Sequence, residues 1–525
     1  MPATQPPVRS YDIIGFGDEV PGILALISAA REFYRLHDRY PRTLLMFKGN
    51  SQQGVGGHLV RGGLSYLDRS SIPQDIRKSL GLPTFGDPAA IYEEFLETAG
   101  VLEIGLDPRQ ADKALREMLR KAQVSLLSNI EIDAVLSDRT TITGIRLTNG
   151  DTYLAKQFID ATVNAELAQC AGVPKLKGFG VMGLPDSELS VTLTFETEGL
   201  SLDTLKRHEW QYLQRFTDLQ DSEAQHWIDI AAAGNPALAD QLRRDLRDRN
   251  GNLKPMYVGR DYIDVRCKAL SIAYHAFRGT ALSLQESGAI LDNGNVARFS
   301  DGRLSWNALL FDVNADQAEA LARGKAKPTP AMLREMAQVE TWFRSLGATR
   351  VRPALELYIR HAGNVMEVND PLSGSEMLAG GVPANEAFGT FGYHFDVRGG
   401  IAGLGDRASA RGIGNVVPLK APLFNVGMQH ALVKSMRNLA IISPASGFDG
   451  YACSAGRIVE FNCAVGQGVG IAAAIALSQG RNLADISNLE VRRVLHQTGK
   501  LSRIYGRSNP IEAAQLDDFE NRIAA

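Results

Sequence analysis

The stretch GFGDEVPGILALISAA, Gly15 to Ala30, follows a short run, Tyr11-Asp12-Ile13-Ile14, and opens onto a row of good helix formers. Strand, tight turn and helix in that order form the layout that receives a dinucleotide, with the phosphates at the helix N-terminus. Two registers are possible. A fingerprint started at Gly15 leaves too many residues before Gly22, whereas one started at Gly17 reads G-D-E-V-P-G with its first and last glycines in place. In that register Gly17 makes the turn and Gly22 lets the helix approach the sheet. Pro21 falls in the first helical turn, and Glu19 stands where a glycine normally admits the pyrophosphate. A carboxylate there repels what the helix N-terminus attracts.

The second strand is expected at TLLMF, Thr43 to Phe47, between Pro41 and Gly49. An acid normally closes this strand and binds the ribose, but Phe47 and Lys48 stand there, and Asp38 comes too early. Lys48 is either a phosphate ligand or a solvated lysine. A glycine-rich loop follows, GVGGHLVRGG from Gly54 to Gly63. A helix is expected over Asp107 to Val124, then short strands with a hairpin turn at Asn149-Gly150. This small antiparallel meander returns to the parallel sheet at Phe158-Ile159. From about 174 to 419 helical runs (Leu202 to Phe216, Met332 to Leu346) mix with strand-like runs (SVTLTFET, SWNALLFDV). The α/β pattern resumes with NLAIISPAS and with NCAVGQGVGIAAAIALS, read as a helix whose first turn is Gly466-Gln467-Gly468.

With 525 residues the chain is expected to form two domains or one elaborated domain. The 56 basic and 59 acidic residues give a net charge of -3, which argues against nucleic acid as a partner. MPATQPPVRS lacks an apolar signal core and reads as a loose leader, and the apolar run Cys463 to Leu477 reads as too short to span a bilayer; no membrane association is expected. The four cysteines, Cys170, Cys267, Cys453 and Cys463, form no C-x-x-C or zinc spacing, so no metal is expected and a cytoplasmic location is.

Several stretches, taken in order, resemble one family. GDEVPGI (Gly17 to Ile23), GGHLVRGGLSYLD (Gly56 to Asp68), IDATVNAELAQCAGVP (Ile159 to Pro174), GYHFDVR (Gly392 to Arg398) and NLAIISPASGFDGYACSAGRIVEFNCAVGQGVGIAAA (Asn438 to Ala474) carry the resemblance. They are similar to motifs of the FAD-dependent oxidoreductases of the glutathione-reductase-like Rossmann superfamily. The resemblance covers most of the chain. It implies an α/β fold: a Rossmann-type FAD/NAD(P)-binding domain with a parallel sheet and a small antiparallel meander, and an inserted mixed α+β substrate domain. The expected bounds are 8–174 with 420–480 for the FAD domain, 175–419 for the substrate domain and 481–525 for a C-terminal helical extension packed outside.

FAD is the implied cofactor. The resemblance lays Gly56, Gly57, His58, Arg61, Gly62 and Gly63 along the diphosphate and flavin, with Ala161, Thr162 and Val163 beside the diphosphate. It sets Val124 near the adenine, a place that also suits a buried strand residue. It turns the Gly466-Gln467-Gly468 N–H groups toward the flavin pyrimidine carbonyls or the diphosphate, a stretch that also suits close helix packing, and makes Arg457 a candidate for the anionic flavin. Four departures stand out: Glu19, Phe47, Val163 where the family has glycine, and Arg398 where it has histidine. Either FAD is held through an altered adenosine grip, or its binding is weakened or lost.

The implied chemistry is hydride transfer between a small organic substrate and the flavin. His58 is a candidate base or covalent flavin anchor. Tyr393, His394, Asp396 and Arg398 are candidates for substrate orientation or proton relay, Arg360-His361 and Arg457 for carboxylate or reduced-flavin binding, and Cys453 for a thiol at the flavin. The substrate and the electron acceptor are left open. A non-catalytic scaffold and a flavin monooxygenase are the alternatives.

Overall fold

The computed structural model describes residues 7–414 and 419–525; most of the expected leader, residues 1–6, lies outside the described residues. Its last part is not loose: Val8–Ser10 is an exposed strand running parallel to Thr152–Leu154.

Five strands form a parallel sheet: β1 (Ile13–Phe16), β2 (Thr43–Met46), β3 (Val124–Leu127), β4 (Gln157–Asp160) and β5 (Leu439–Ile441), in the spatial order β5-β4-β1-β2-β3. β1, β2, β4 and β5 are buried along their whole length, which is why they read as apolar runs rather than alternating ones. Successive side chains point to opposite faces. Ile13, Leu45, Ile159 and Ala440 enter one core with the helices, while Ile14, Leu44, Met46, Phe158 and Leu439 enter another. That second core is closed by the meander of Ile132–Asp138, Thr141–Leu147 and Thr152–Leu154. The sheet thus lies between a helical layer and an antiparallel layer.

Helix α1 (Val20–His37) follows β1, and helix α2 (Val459–Gln479) packs along it. Glycine sets the distance between them. A Cβ added at Gly466 would lie 2.5 Å from the Pro21 carbonyl oxygen, and one at Gly470 would lie 2.2 Å from that of Ala25. Gly466-Gln467-Gly468 therefore does not open the last helix. It lies inside α2, which begins at Val459, and its glycines serve packing against α1 and the Phe388 ring. Gln467 accepts the Ile91 N–H at 2.8 Å. Small residues throughout the segment fit a helix crowded on every side as well as they fit a phosphate turn. At 21 residues α2 is also longer than the sequence suggests: it is long and apolar enough to cross a bilayer, and it is mostly buried inside the protein.

Residues 191–353 contain a six-stranded antiparallel sheet in the spatial order Tyr257–Val258, Tyr262–Asp264, Ala289–Arg298, Leu304–Phe311, Val191–Glu198, Arg350–Pro353. It has its own core, where Phe195 stacks on Trp306 and Phe343 meets both edge-on beneath the helices Leu202–Thr217, Ala269–Arg278 and Pro330–Ser345. Near the C-terminus α3 (Pro510–Ala524) buries Leu516 and Phe519 and lies on the short helix Gly374–Ala379. Glu520 accepts the backbone N–H groups of Tyr451 at 2.8 Å and Ser375 at 3.2 Å.

Two outcomes follow from this packing. Gly470→Ala forces α1 and α2 apart and should cost about 1–3 kcal/mol in urea unfolding, the usual penalty of overpacking. Burial pushes the Glu520 carboxyl from 4.5 up to about 7. The fold therefore favours its protonated form, and this contribution is full at low pH and lost as pH rises through about 7. Glu520→Gln should flatten the fall in urea midpoint across that interval; an unchanged profile would assign the fall to other groups.

Candidate functional site

The turn after β1 is built as the glycine spacing requires. Gly17 has a φ of +95°, and a Cβ there would lie 2.7 Å from the Thr162 nitrogen. A Cβ at Gly22 would lie 2.2 Å from that of Ala161. Ala161 and Thr162 lie just past β4, so both glycines let α1 start against that strand end. Asp160 holds the same corner: its carboxylate accepts the Thr162 N–H and hydroxyl and the Ala168 N–H. Pro21 sits in the first turn of α1.

Glu19 is the N-cap residue of α1, yet its side chain makes no capping bond. It turns across to the Gly54–Gly63 loop, where it accepts the His58 N–H at 3.2 Å and meets His58 Nδ1. Its neighbour Asp18 does the same more deeply. Asp18 accepts the N–H groups of Gly56 at 3.0 Å and Gly57 at 3.3 Å, and a bidentate pair from Arg61. Arg61 also donates from Nε to Glu356 at 2.9 Å and from Nη1 to the Gly54 carbonyl. Burial acts to raise the Asp18 carboxyl, but Arg61 and the two backbone N–H groups outweigh it and hold it below the usual carboxylate range. At Glu356 burial prevails over Arg61 and the carboxyl is raised.

The residues expected on the adenosine side all contact other protein groups. The Arg61 guanidinium lies over the Phe47 ring, 5.4 Å from its centroid, and Gly49 gives it room. Lys48 is neither solvated nor free: it binds Glu166 at 2.9 Å, Glu131 at 3.1 Å and the Arg323 carbonyl. Val163 packs against the core of the six-stranded sheet. Val124 begins β3 and is buried among α-helical side chains. Gly62 packs on the His58 backbone, and Gly63, with a φ of +59°, approaches Thr194.

A second polar group lies at the far end of the loop. His58 stacks on Tyr358 at 5.1 Å, and the Arg360 guanidinium lies 4.5 Å from the same ring centroid. Arg360 donates to the Ser190 carbonyl, makes no ion pair among the described residues, and is pushed down to about 10 by burial. Arg457 donates to Asp396 at 2.7 Å and lies over Tyr393; Arg398 reaches Asp292 at 2.7 Å. Burial acts to raise the Asp396 carboxyl, but Arg457 and Arg398 outweigh it and lower it. His394 stacks on Tyr393 at 4.7 Å. Three buried atoms here have no hydrogen-bond partner among the described residues: His58 Nε2, Arg360 Nε and Arg457 Nε. His361, by contrast, is engaged by Glu188 and Asn364, both at 2.7 Å, and burial pushes the Cys453 thiol up to about 12. Both ring nitrogens of His361 are thus taken, and the buried Cys453 sulfur is kept as the protonated thiol.

The two ends therefore differ in their fit to FAD. The Tyr358–Arg457 end carries orphaned polar atoms, which fit a polar partner. The diphosphate end does not fit as folded: its N–H groups are bonded to Asp18 and Glu19, and the cavity beside them measures about 90 Å³, against roughly 300–1,000 Å³ for ligand pockets. Asp18, Glu356 and Tyr358 carry much of this geometry and escape a reading by motif. The chain alone does not say which of two adjacent acids turns inward, and Glu356 and Tyr358 belong to no pattern. Arg61→Met leaves the buried Asp18 carboxylate without its cation and Glu356 with Lys327 alone at 3.7 Å, and should destabilise the chain by about 3–5 kcal/mol in urea unfolding.

Residues 50–495 match the family described as FAD dependent oxidoreductase. No curated protein sequence matches the chain. Among solved structures it is similar to an L-proline dehydrogenase from P. horikoshii, at 11% identity over 94% of this chain and 100% of that one, with a TM-score of 0.35. A geranylgeranyl bacteriochlorophyll reductase-like protein from Thermoplasma acidophilum is 9% identical over 98% of this chain and 88% of that one, with a TM-score of 0.36. Halogenase PltM in complex with phloroglucinol and FAD is 11% identical over 90% and 71%, with a TM-score of 0.35. With that match running through the loop at Gly54–Gly63, the inserted sheet and the whole of α2, the chain belongs to the FAD-dependent oxidoreductases, enzymes whose cofactor is FAD.

Proposed function

We propose that the chain oxidises or reduces a small organic substrate bearing a carboxylate, at the buried group formed by His58, Tyr358, Arg360, Tyr393, Asp396, Arg398 and Arg457. The observation that carries this reading is the concentration of unpartnered buried atoms there: His58 Nε2, Arg360 Nε and Arg457 Nε. Buried polar groups are ordinarily satisfied, and a buried guanidinium without an anion is costly. Arg360 is such a guanidinium, 3% exposed. A planar carboxylate is the partner its fork suits.

The redox step in this family belongs to FAD; the residues of this chain bind, orient and move a proton. Glu19 lies at His58 Nδ1, which fixes the ring and leaves Nε2 as the atom able to take a proton. Tyr358 separates that base from Arg360 and gives both a flat surface. Asp396 keeps Arg457 in place and is itself held ionised by Arg457 and Arg398. Burial raises the Tyr393 phenol well above its ordinary value, so it stays protonated and keeps its O–H to donate.

The reading is tested by adding organic acids to the FAD-loaded protein without oxygen and following loss of the oxidised-flavin band. With a substrate in hand, Arg360→Ala should raise KM with Arg360→Lys between the two, and His58→Ala should lower kcat by roughly 10²–10⁴-fold. A substrate turned over equally well by both alanine variants would remove these residues from the reaction.

A further inference from the structure

Gly56 and Gly57 take φ values of +131° and +49°, and with His58 they present three consecutive backbone N–H groups to one spot beside the N-terminus of α1. Successive N–H groups turned inward in this way form an anion-binding concavity. Here the anions are the chain's own. Asp18 takes the N–H groups of Gly56 and Gly57, and Glu19 takes that of His58. The fit is close: a Cβ at Gly57 would lie 2.2 Å from Glu19 Oε1. Two adjacent carboxylates thus stand where a diphosphate would place its two charged groups.

The surroundings reinforce the closure. Arg61, the one cation bonded to Asp18, has its Nε and both terminal nitrogens committed to Asp18, Glu356 and the Gly54 carbonyl. It can meet a phosphate only by leaving a carboxylate buried. Lys48 is held by Glu166 and Glu131. Asp18, Glu19, Glu166 and Glu356 line the same small cavity, and its cations Arg61, Lys48 and Lys325 are each already paired with a carboxylate, so an entering diphosphate faces four carboxylates and no uncommitted cation among the described lining residues.

We propose that Asp18 and Glu19 are an internal substitute for a diphosphate, and that they keep exogenous diphosphates, that of FAD included, out of this concavity until they are displaced. The proposal concerns the diphosphate end alone and does not rest on the substrate reading. It implies that the native chain takes FAD weakly and that removing the carboxylates improves binding.

Glu19→Gly tests this with little risk to folding, since the Glu19 side chain caps nothing in α1 and glycine is tolerated at an N-cap. Asp18→Asn, which keeps the shape and drops a charge, is the second variant. The full chain and both variants are titrated with inorganic pyrophosphate, read by thermal unfolding, and with FAD, read by flavin fluorescence. Pyrophosphate should raise the Tm of Glu19→Gly and leave that of the native chain unmoved, and the variant should bind FAD at least about tenfold more tightly, as expected when a like charge is removed from contact with a phosphate. A native chain that purifies with a full complement of FAD, or a Glu19→Gly variant as indifferent to pyrophosphate as the native chain while Asp18→Asn is also unchanged, would overturn the proposal. A variant that responds to pyrophosphate while neither chain takes up FAD would uphold the internal substitute and defeat the flavin reading of the site.

Discussion

The buried Arg61 guanidinium joins three pieces of chain that no secondary structure connects: the turn after β1 through Asp18, its own glycine loop through Gly54, and the strand end of the inserted sheet through Glu356. Burying such a network gains little net stability, because desolvation offsets most of the attraction. Its effect is on geometry. With five directed donors Arg61 admits one arrangement of these pieces, and the loop that could open onto a cofactor is the piece it fixes most firmly. The Arg61 backbone carbonyl also accepts the Leu355 N–H at 3.0 Å, so the inserted sheet is held to the same loop by its main chain.

Apolar packing sets the frame in which that network works. The parallel sheet is sealed on one face by α1 and α2 and on the other by the meander, and the inserted sheet has a separate core. Val163 bridges these bodies. It follows β4, yet it packs into the core of the inserted sheet. Lys48 does the same with charge, binding Glu166 from one side and the Arg323 carbonyl from the other. The adenosine side of the turn is therefore part of the contact between the two bodies.

The glycines that a turn demands were legible, because only glycine fits Gly17 at a φ of +95° and Gly22 against Ala161. The buried parallel strands were legible as apolar runs. The Gly466-Gln467-Gly468 turn was expected to open its helix and instead lies inside it, since crowding against a helix and crowding against a phosphate select the same residue. Lys48 offered two readings, phosphate ligand or solvated side chain, and the structure gives a third: ion pairing with Glu131 and Glu166, which are distant in sequence. His361 and Arg360 are adjacent, and only tertiary structure separates them. Glu188 and Asn364 engage the histidine, while the arginine is left without an anion.

The departures from the family pattern have a common physical form. Where the family leaves space, this chain supplies a side chain, and each has found a partner within the protein: Glu19 the backbone and ring of His58, Phe47 the Arg61 guanidinium, Val163 the neighbouring core. These three contacts lie around one turn, so that side of the molecule is held together by groups of the chain itself. The polar group near Tyr358 differs, for its buried atoms lack partners among the described residues. The glycine turn satisfies its N–H groups with Asp18 and Glu19 while the group around Tyr358 holds unsatisfied polar atoms, so ligand binding is expected to rest on the residues around Tyr358 rather than on the turn from which the fold is read.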